Sequence, residues 1–199
     1  MSYREKIIGY IREQAQPADK FSHQARLFEL AKGLAGGQPF DEDVLFAAAW
    51  MHDLGVFIGH RPNDPVALAK WDNVAYAIEK TPALVRELGF PEEKIPAVVE
   101  VIRTHLPSSN PVSFEAVLMR DADILEQLGA VGILRAVSKV GRDTRFVRFS
   151  DALRVLERNS RELPGCLRLG FAKTIAAARV SVLKQFLEAA AAEAMGSEL

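Results

Sequence analysis

The chain contains a single cysteine, Cys166, among its 199 residues, so a disulfide within the chain is excluded. One cysteine in a chain of this length fits a reducing compartment, and the sequence therefore predicts a cytoplasmic location. Lys and Arg number 25 and Asp and Glu number 26, which gives a formal net charge of -1. Because positive charge is not in excess, we expect no binding to nucleic acid or to anionic membrane surfaces.

Long apolar runs are also missing. The stretch of lowest polarity lies around Phe46–Trp50 and is too short to span a bilayer. The segment from Met1 to Tyr10 is amphipathic and has no apolar signal-peptide region.

The sequence has no Gly-x-x-x-x-Gly-Lys phosphate loop, no Gly-x-Ser-x-Gly elbow and no cysteine-based zinc motif. A nucleotide ligand would therefore be held by the shape of a pocket and by a metal ion.

Strand-like alternation is nearly absent, and its longest example is Thr144–Phe149. Helical periodicity dominates instead, and a hydrophobic content of 49% is enough for a substantial core. The sequence predicts one all-α domain over residues 1–199. A motif-bearing core covers about residues 20–140, and a helical extension covers about residues 150–195.

Capping residues and apolar stripes predict where the helices begin and end. We expect Ser2 to cap a helix that ends near Gln14, Ser22 to cap a second helix, and Asp41 or Asp43 to open a third helix that ends at His52. The later helices are predicted over Val66–Lys80, Thr81–Gly89, Pro96–His105, Ser113–Gln127, Gly129–Val140, Ser150–Arg158 and Phe171–Met195. The last of these is rich in alanine and either packs on the core or forms a homodimer contact.

Polar residues on apolar helix faces give the first indication of function. The chain has four histidines, and three of them, His23, His52 and His105, interrupt or end an apolar stripe. Asp53 follows His52 directly, and at a helix end both side chains can point to one place. Imidazole and carboxylate together suit a divalent Mn, Fe, Ni, Zn or Co ion better than a metal that prefers thiolate. Taken singly, each histidine is more often a hydrogen-bonded core residue.

Four motifs in chain order resemble the HD superfamily of metal-dependent phosphohydrolases. They are His23-Gln-Ala-Arg26, Phe46-Ala-Ala-Ala-Trp-Met-His-Asp-Leu-Gly55, Val101-Ile-Arg-Thr-His105 and Asp121-Ala-Asp-Ile-Leu125. The resemblance covers roughly residues 20 to 140 and implies an HD-domain helical bundle. It also implies a divalent metal ion (Mn, Ni, Fe, Zn, Co or Mg) bound by His23, His52, Asp53 and Asp123.

The acidic pair leaves an alternative open. Helical spacing places Asp121 on one face with Leu118 and Leu125 and mildly favours Asp121 as the ligand, whereas the family motif favours Asp123. We expect Asp123 to bind the metal. Asp121 would then orient a ligand or water, or serve as a capping or salt-bridging residue.

The resemblance implies hydrolysis of a phosphate ester or pyrophosphate of a nucleotide-like small molecule by metal-activated water. Asp53 would bind the metal and orient that water, and His105 would contact phosphate or donate a proton to the leaving oxygen. Arg26, one helical turn after His23, would bind phosphate. The plainer alternatives are a core-facing histidine and a solvated arginine.

The sequence departs from the fuller family pattern between Asp53 and His105. Dinuclear relatives carry further histidines there, whereas this chain offers only His60 and Asp72. We therefore expect one metal ion, with a second site near those two residues left open. Two other functions compete: a non-catalytic HD module that senses a ligand or binds a partner, and, less favoured, a di-iron oxygenase of the HD fold.

Overall fold

A computed structural model describes residues 1–199 apart from the side chain of Asp19, and its regular secondary structure is helical. The ten helices are α1 (Tyr3–Gln14), α2 (Phe21–Leu34), α3 (Glu42–Met51), α4 (Pro65–Ala69), α5 (Asn73–Glu87), α6 (Ile95–Thr104), α7 (Phe114–Glu126), α8 (Gly129–Val137), α9 (Phe149–Glu162) and α10 (Gly170–Glu193). Among residues 1–199 the one strand-like pairing is an isolated bridge between Ile58 and Arg61. The predicted all-α class is confirmed.

The chain forms two compact units, Met1–Arg120 and Asp121–Leu199, and the boundary falls within α7. In the first unit α3 packs against α1, α2 and α6, and α5 packs against α6. In the second unit α8, α9 and α10 pack against one another. Of the helices that the structure describes, none combines the length and apolarity needed to cross a bilayer. The predicted single domain over residues 1–199 stays a prediction.

Helix α3 is the centre of the first unit. Every residue from Val44 to Met51 is buried, so the helix is apolar all round rather than amphipathic. Such a helix belongs in a core, and each large side chain buried there contributes about 1.5–3 kcal/mol. The residue that follows α3, His52, is therefore held inside the unit and is only 1% exposed.

Several predicted helix starts are confirmed by their hydrogen bonds. Ser2 forms a full capping box with Glu5: the Ser2 hydroxyl accepts the Glu5 N–H at 3.3 Å and the Glu5 carboxylate accepts the Ser2 N–H at 2.7 Å. Asp41, not the alternative Asp43, caps α3 by accepting the N–H groups of Asp43 and Val44. Ser113 caps α7 through the Ala116 N–H.

Three predictions of helix boundaries are wrong. The helix predicted over Val66–Lys80 is divided, because α4 ends at Ala69 and α5 begins at Asn73. Helix α2 begins at Phe21, and Ser22 instead accepts a hydrogen bond from Arg26 at 2.9 Å. The predicted break at Thr81-Pro82 does not occur, because Pro82 lies inside α5. Asp72 caps α5, and the buried stripe of that helix continues past the proline: Val74, Ala77, Thr81 and Val85. Burial of this stripe outweighs the hydrogen bond that a proline cannot donate.

The alanine-rich helix α10 packs on the second unit, as predicted for a core element. Its buried residues are Ala172, Ala176 and Leu183, and it contacts α8 and α9. Phe171 and Val182 stay 58% and 44% exposed. A homodimer contact through this helix stays a prediction.

Candidate metal centre

The backbone changes direction between His52 and Asp53. His52 ends α3 with helical dihedral angles (φ -58°, ψ -34°), and its N–H still donates to Ala48. Asp53 has φ -93° and ψ 10°, a sparsely populated region that is common among active-site residues. As a result, Nε2 of His52 lies 3.5 Å from Oδ1 of Asp53. The expected convergence of the adjacent pair at a helix end is observed.

Helix α2 brings a third residue to this pair. Nε2 of His23 lies 3.7 Å from Oδ2 of Asp53, and the rings of His23 and His52 are 5.4 Å apart. His23, His52 and Asp53 each offer one ligand atom, and these atoms lie within 4.8 Å of one another. Both histidines are buried, whereas the Asp53 side chain is 14% exposed. The group is thus enclosed on the histidine side and reachable through the carboxylate.

The protonation of His52 tests whether these residues fit a metal ion. Its Nδ1 lies 3.0 Å from the carbonyl oxygen of Ala49, an acceptor, so Nδ1 carries the hydrogen and Nε2 keeps a lone pair. That Nε2 is buried and has no hydrogen-bond partner among the described residues. Leaving such an atom unsatisfied costs about 1–3 kcal/mol. A divalent cation would satisfy it, and two imidazole nitrogens with one carboxylate oxygen suit such an ion.

His105 lies beside the group without belonging to it. It ends α6, is 3% exposed, and its ring is 5.2 Å from that of His52. Nδ1 of His105 donates to the carbonyl oxygen of Ile102 at 2.6 Å, the same relation that His52 has with Ala49. Both rings are therefore oriented by the last turn of their own helix, and His105 is placed to act on a ligand of the metal group.

Gly55 explains why a glycine follows the His-Asp pair. A Cβ atom at this position would lie 2.5 Å from the carbonyl oxygen of Asn73 and 2.8 Å from its Cα. The Gly55 carbonyl oxygen also accepts the indole N–H of Trp71 at 2.8 Å. The turn after Asp53 is thus packed directly against the start of α5.

We expect Gly55→Ala to lower the free energy of unfolding by about 1–3 kcal/mol, because backbone atoms must move to admit the Cβ. Since the displaced turn carries Asp53, metal affinity should fall as well. Urea denaturation and metal titration measure the two effects. The control is Gly33→Ala, because a Cβ atom added at Gly33 meets nothing within 4 Å.

His60 has a structural role. Its Nε2 donates to Oε1 of Gln14 at 2.9 Å, and its Nδ1 lies 3.0 Å from the hydroxyl of Tyr76. Both ring nitrogens are therefore engaged. Asp72, the other residue considered for a second metal, caps α5 through the N–H groups of Val74 and Ala75. These contacts favour the interpretation of one metal ion.

Burial lowers the pKa of His60, because the charged ring is desolvated in the folded protein. The unfolded chain then binds more protons than the folded one just below the ordinary histidine pKa of about 6.5. Stability contributed by neutral His60 is complete above that pH and decreases as the pH falls below it. We expect the unfolding free energy of metal-free protein to depend less on pH between about 7 and 5 in His60→Gln. Parallel curves for the two proteins would contradict this.

The two predicted acidic candidates, both in the second unit, differ in their contacts. Asp121 is fully buried and accepts the backbone N–H groups of Arg168 at 3.0 Å and Leu169 at 2.8 Å, just before α10. Asp121 thus holds the backbone just before α10, and its role as a capping or salt-bridging residue stays a prediction. The carboxylate of Asp123 is in contact with Gln127 at 3.3 Å. The role of Asp123 as a metal ligand stays a prediction.

Arg26 lies on α2, half-buried, one turn after His23. Its Nη1 donates to the Ser22 hydroxyl at 2.9 Å. This contact holds the guanidinium near the first turn of α2, and the predicted phosphate contact stays a prediction.

Comparison with known proteins adds a family and a shared fold. The family model for the HD domain matches residues 21–128. A predicted HD superfamily hydrolase from an uncultured Thermotogales bacterium is 24% identical, with a TM-score of 0.65 over 96% of this chain and 93% of its own. An HD-superfamily hydrolase from Bacillus thuringiensis is 22% identical, with a TM-score of 0.68 over 98% and 97%. Bacillus subtilis YpgQ in complex with ADP is 19% identical, with a TM-score of 0.71 over 97% and 98%.

At these identities the solved structures show a common fold and nothing finer. A search of curated proteins finds no significant match. The family assignment rests on the domain match, which contains His23, His52, Asp53, His105 and Asp123 in the expected order. Since that match spans more than half of the residues, the chain belongs to the HD-domain family.

Proposed function

We propose that the protein hydrolyses a phosphate ester or phosphoanhydride of a small molecule, using one divalent metal ion bound by His23, His52 and Asp53. The observation that carries this proposal is the buried Nε2 of His52, which faces Asp53 and has no hydrogen-bond partner among the described residues. The family motif supports Asp123 as a further ligand. The identity of the metal follows from availability, because sites of this kind accept several ions.

The chemistry that the metal supplies when bound is polarisation of a phosphoryl oxygen and a lowered pKa of water. Asp53 is the most exposed member of the group and would orient the attacking water with its carboxylate. Nε2 of His105, when protonated, would donate a proton to the leaving oxygen, because Nδ1 is already held by Ile102. Arg26 would contact the phosphate from α2.

A hydrolytic site is favoured over a purely structural metal site by His105. Structural sites close their coordination with protein ligands, whereas catalytic sites keep an open position beside a group that transfers protons. Here a fully positioned imidazole stands 5.2 Å from the ring of a proposed ligand but lies outside the ligand group. That placement is typical of a residue that acts on substrate.

A nucleotide-like substrate is the finer part of the proposal. YpgQ shares the fold and was solved with ADP, which supports a nucleotide for this chain too. The sequence has no phosphate-binding glycine loop, so the pocket and the metal would hold the phosphates.

The test combines metal analysis with a substrate screen. We expect one divalent ion per chain and metal-dependent release of phosphate or pyrophosphate from at least one nucleoside mono-, di- or triphosphate, which EDTA abolishes. A bound ion with no release from any of these or from p-nitrophenyl phosphate would contradict an enzyme and favour a ligand-sensing HD module. Two irons per chain would favour the oxygenase instead.

A further inference from the structure

Arg120 is a buried arginine in α7, at the end of the first unit. Its side chain is 5% exposed, and its Nη2 donates to the carbonyl oxygen of Pro107 at 2.7 Å. Its Nε and Nη1 are also buried, and neither has a hydrogen-bond partner among the described residues. A guanidinium stays protonated in proteins, so this group is a buried charge that uses one of its three nitrogens.

Stability does not account for such a residue. A buried charge without a counter-charge costs several kcal/mol, and unmade hydrogen bonds add to that cost. An apolar residue of similar volume would serve the fold better. Other buried side-chain atoms without a partner belong to groups that can be neutral, among them Trp50, Thr81 and Ser150, whereas Arg120 carries a permanent positive charge. Arg120 is therefore built to meet an anion.

The contact with Pro107 places the guanidinium on the His105 side of the unit. Pro107 follows His105 by two residues, and two residues of chain span at most about 7 Å. The ring of His105 lies 5.2 Å from the ring of His52. The guanidinium is thus fixed to the segment that directly follows the imidazole proposed to protonate the leaving oxygen.

We propose that Arg120 binds the phosphoryl group of the substrate through one of its two unpartnered nitrogens, Nε or Nη1, while Nη2 keeps the guanidinium on Pro107. This inference rests on the proposed phosphohydrolase function. The guanidinium forms directed, charge-assisted hydrogen bonds to phosphate oxygens, and a lysine cannot reproduce the geometry of three nitrogens. Arg120 would thereby add a phosphate contact that no recognised motif of the sequence contains.

The test measures binding of inorganic phosphate and pyrophosphate by calorimetry and by thermal shift, with Mn²⁺-loaded protein and without any turnover. Arg120→Gln keeps a polar side chain but loses the charge, and Arg120→Lys keeps the charge. We expect both variants to bind pyrophosphate at least about 30-fold more weakly and to bind Mn²⁺ as the unaltered protein does. Arg103→Gln, which removes a 53% exposed cation of α6, is the control and should bind pyrophosphate normally.

The outcomes separate this inference from the proposed function. Unchanged pyrophosphate affinity in a folded Arg120→Gln protein would overturn the role of Arg120, even where hydrolysis is observed. Weakened pyrophosphate binding would support Arg120 even where no nucleotide is hydrolysed, and the proposed function alone would then fail. The two variants are tested separately, so a loss of fold in one of them does not remove the test. Equal weakening in Arg103→Gln would overturn the inference by showing a general charge effect.

Discussion

Replacing His52 by Asn or Asp53 by Asn should abolish metal-dependent phosphate release and weaken metal binding by more than about 100-fold. The lower bound follows because residues that only orient a ligand already contribute 10- to 100-fold to metal affinity. His52 presents Nε2 toward the Asp53 carboxylate at 3.5 Å, so each variant removes one of the atoms that would surround the ion. Metal content of the dialysed proteins and calorimetric titration with Mn²⁺ measure the loss.

Stability gives a second readout for the same variants. An ion at 100 times its dissociation constant stabilises the folded protein by about 2.7 kcal/mol. The unaltered protein should therefore unfold at a higher temperature with Mn²⁺ than with EDTA, and this difference should vanish in His52→Asn and Asp53→Asn. With EDTA, His52→Asn should itself be less stable than the unaltered protein, because it loses the buried hydrogen bond from Nδ1 to Ala49. The readout is therefore the difference between Mn²⁺ and EDTA within each protein.

The matched control is His60→Gln. His60 is a histidine of the same unit, but its ring nitrogens contact Gln14 and Tyr76, so its loss should leave the metal-induced stabilisation intact. Full metal-dependent hydrolysis by His52→Asn would refute the site. Equal loss of metal in His60→Gln would show that the unit as a whole, rather than the three-residue group, governs binding.

The sequence predicts those features of the site that depend on neighbouring residues in the chain, and not those that depend on packing between helices. The approach of His52 and Asp53 follows from the end of one helix, and the sequence predicts it. The approach of His23 depends on the packing of α2 against α3, which periodicity alone cannot specify. Only the order of the motifs and their resemblance to a family connected His23 with the pair.

The ring orientations of His52 and His105 could not be predicted from the sequence, for a different reason. In both His52 and His105 the Nδ1 hydrogen goes to a carbonyl oxygen three residues earlier in the chain. Nothing in the residue types distinguishes this arrangement from a ring turned the other way. The sequence predicts that each histidine ends its helix, but that position alone does not fix the orientation of the ring.

Local rules were wrong where packing opposed them. A proline usually ends or kinks a helix, yet Pro82 lies within α5 because the buried stripe on either side of it continues. Ser22 has the residue type of a cap but lies one residue inside α2, where its hydroxyl serves Arg26. In both cases a preference of single residues yielded to the burial of an apolar face.

The choice between Asp121 and Asp123 as metal ligand also depended on contacts that are distant in the chain. Helical spacing favours Asp121, because it shares a face with buried leucines, and the structure confirms that it is fully buried. Its partners, however, are the N–H groups of Arg168 and Leu169, 47 and 48 residues away in the chain. Burial on a helix face therefore indicated an important carboxylate without indicating its function.

Substitutions of Asp121 and Asp123 should have different effects, the first on stability and the second on metal binding. Asp121→Ala leaves two buried N–H groups without their acceptor, and each unsatisfied group costs about 1–3 kcal/mol. We expect it to lower the free energy of unfolding by about 3 kcal/mol, measured by urea denaturation in EDTA. Asp121→Asn keeps an acceptor oxygen and should recover most of that loss.

Asp123→Asn should do the opposite. The substitution preserves the shape of the side chain and an oxygen for Gln127, so the unfolding free energy in EDTA should change by less than about 1 kcal/mol. Metal affinity and hydrolysis should fall as in His52→Asn if Asp123 is the ligand that the family motif indicates. Loss of metal in a stably folded Asp121→Asn, with Asp123→Asn unaffected, would reverse the assignment. Helical spacing, rather than the motif, would then identify the ligand, and the backbone bonds of Asp121 would have to break when the metal binds.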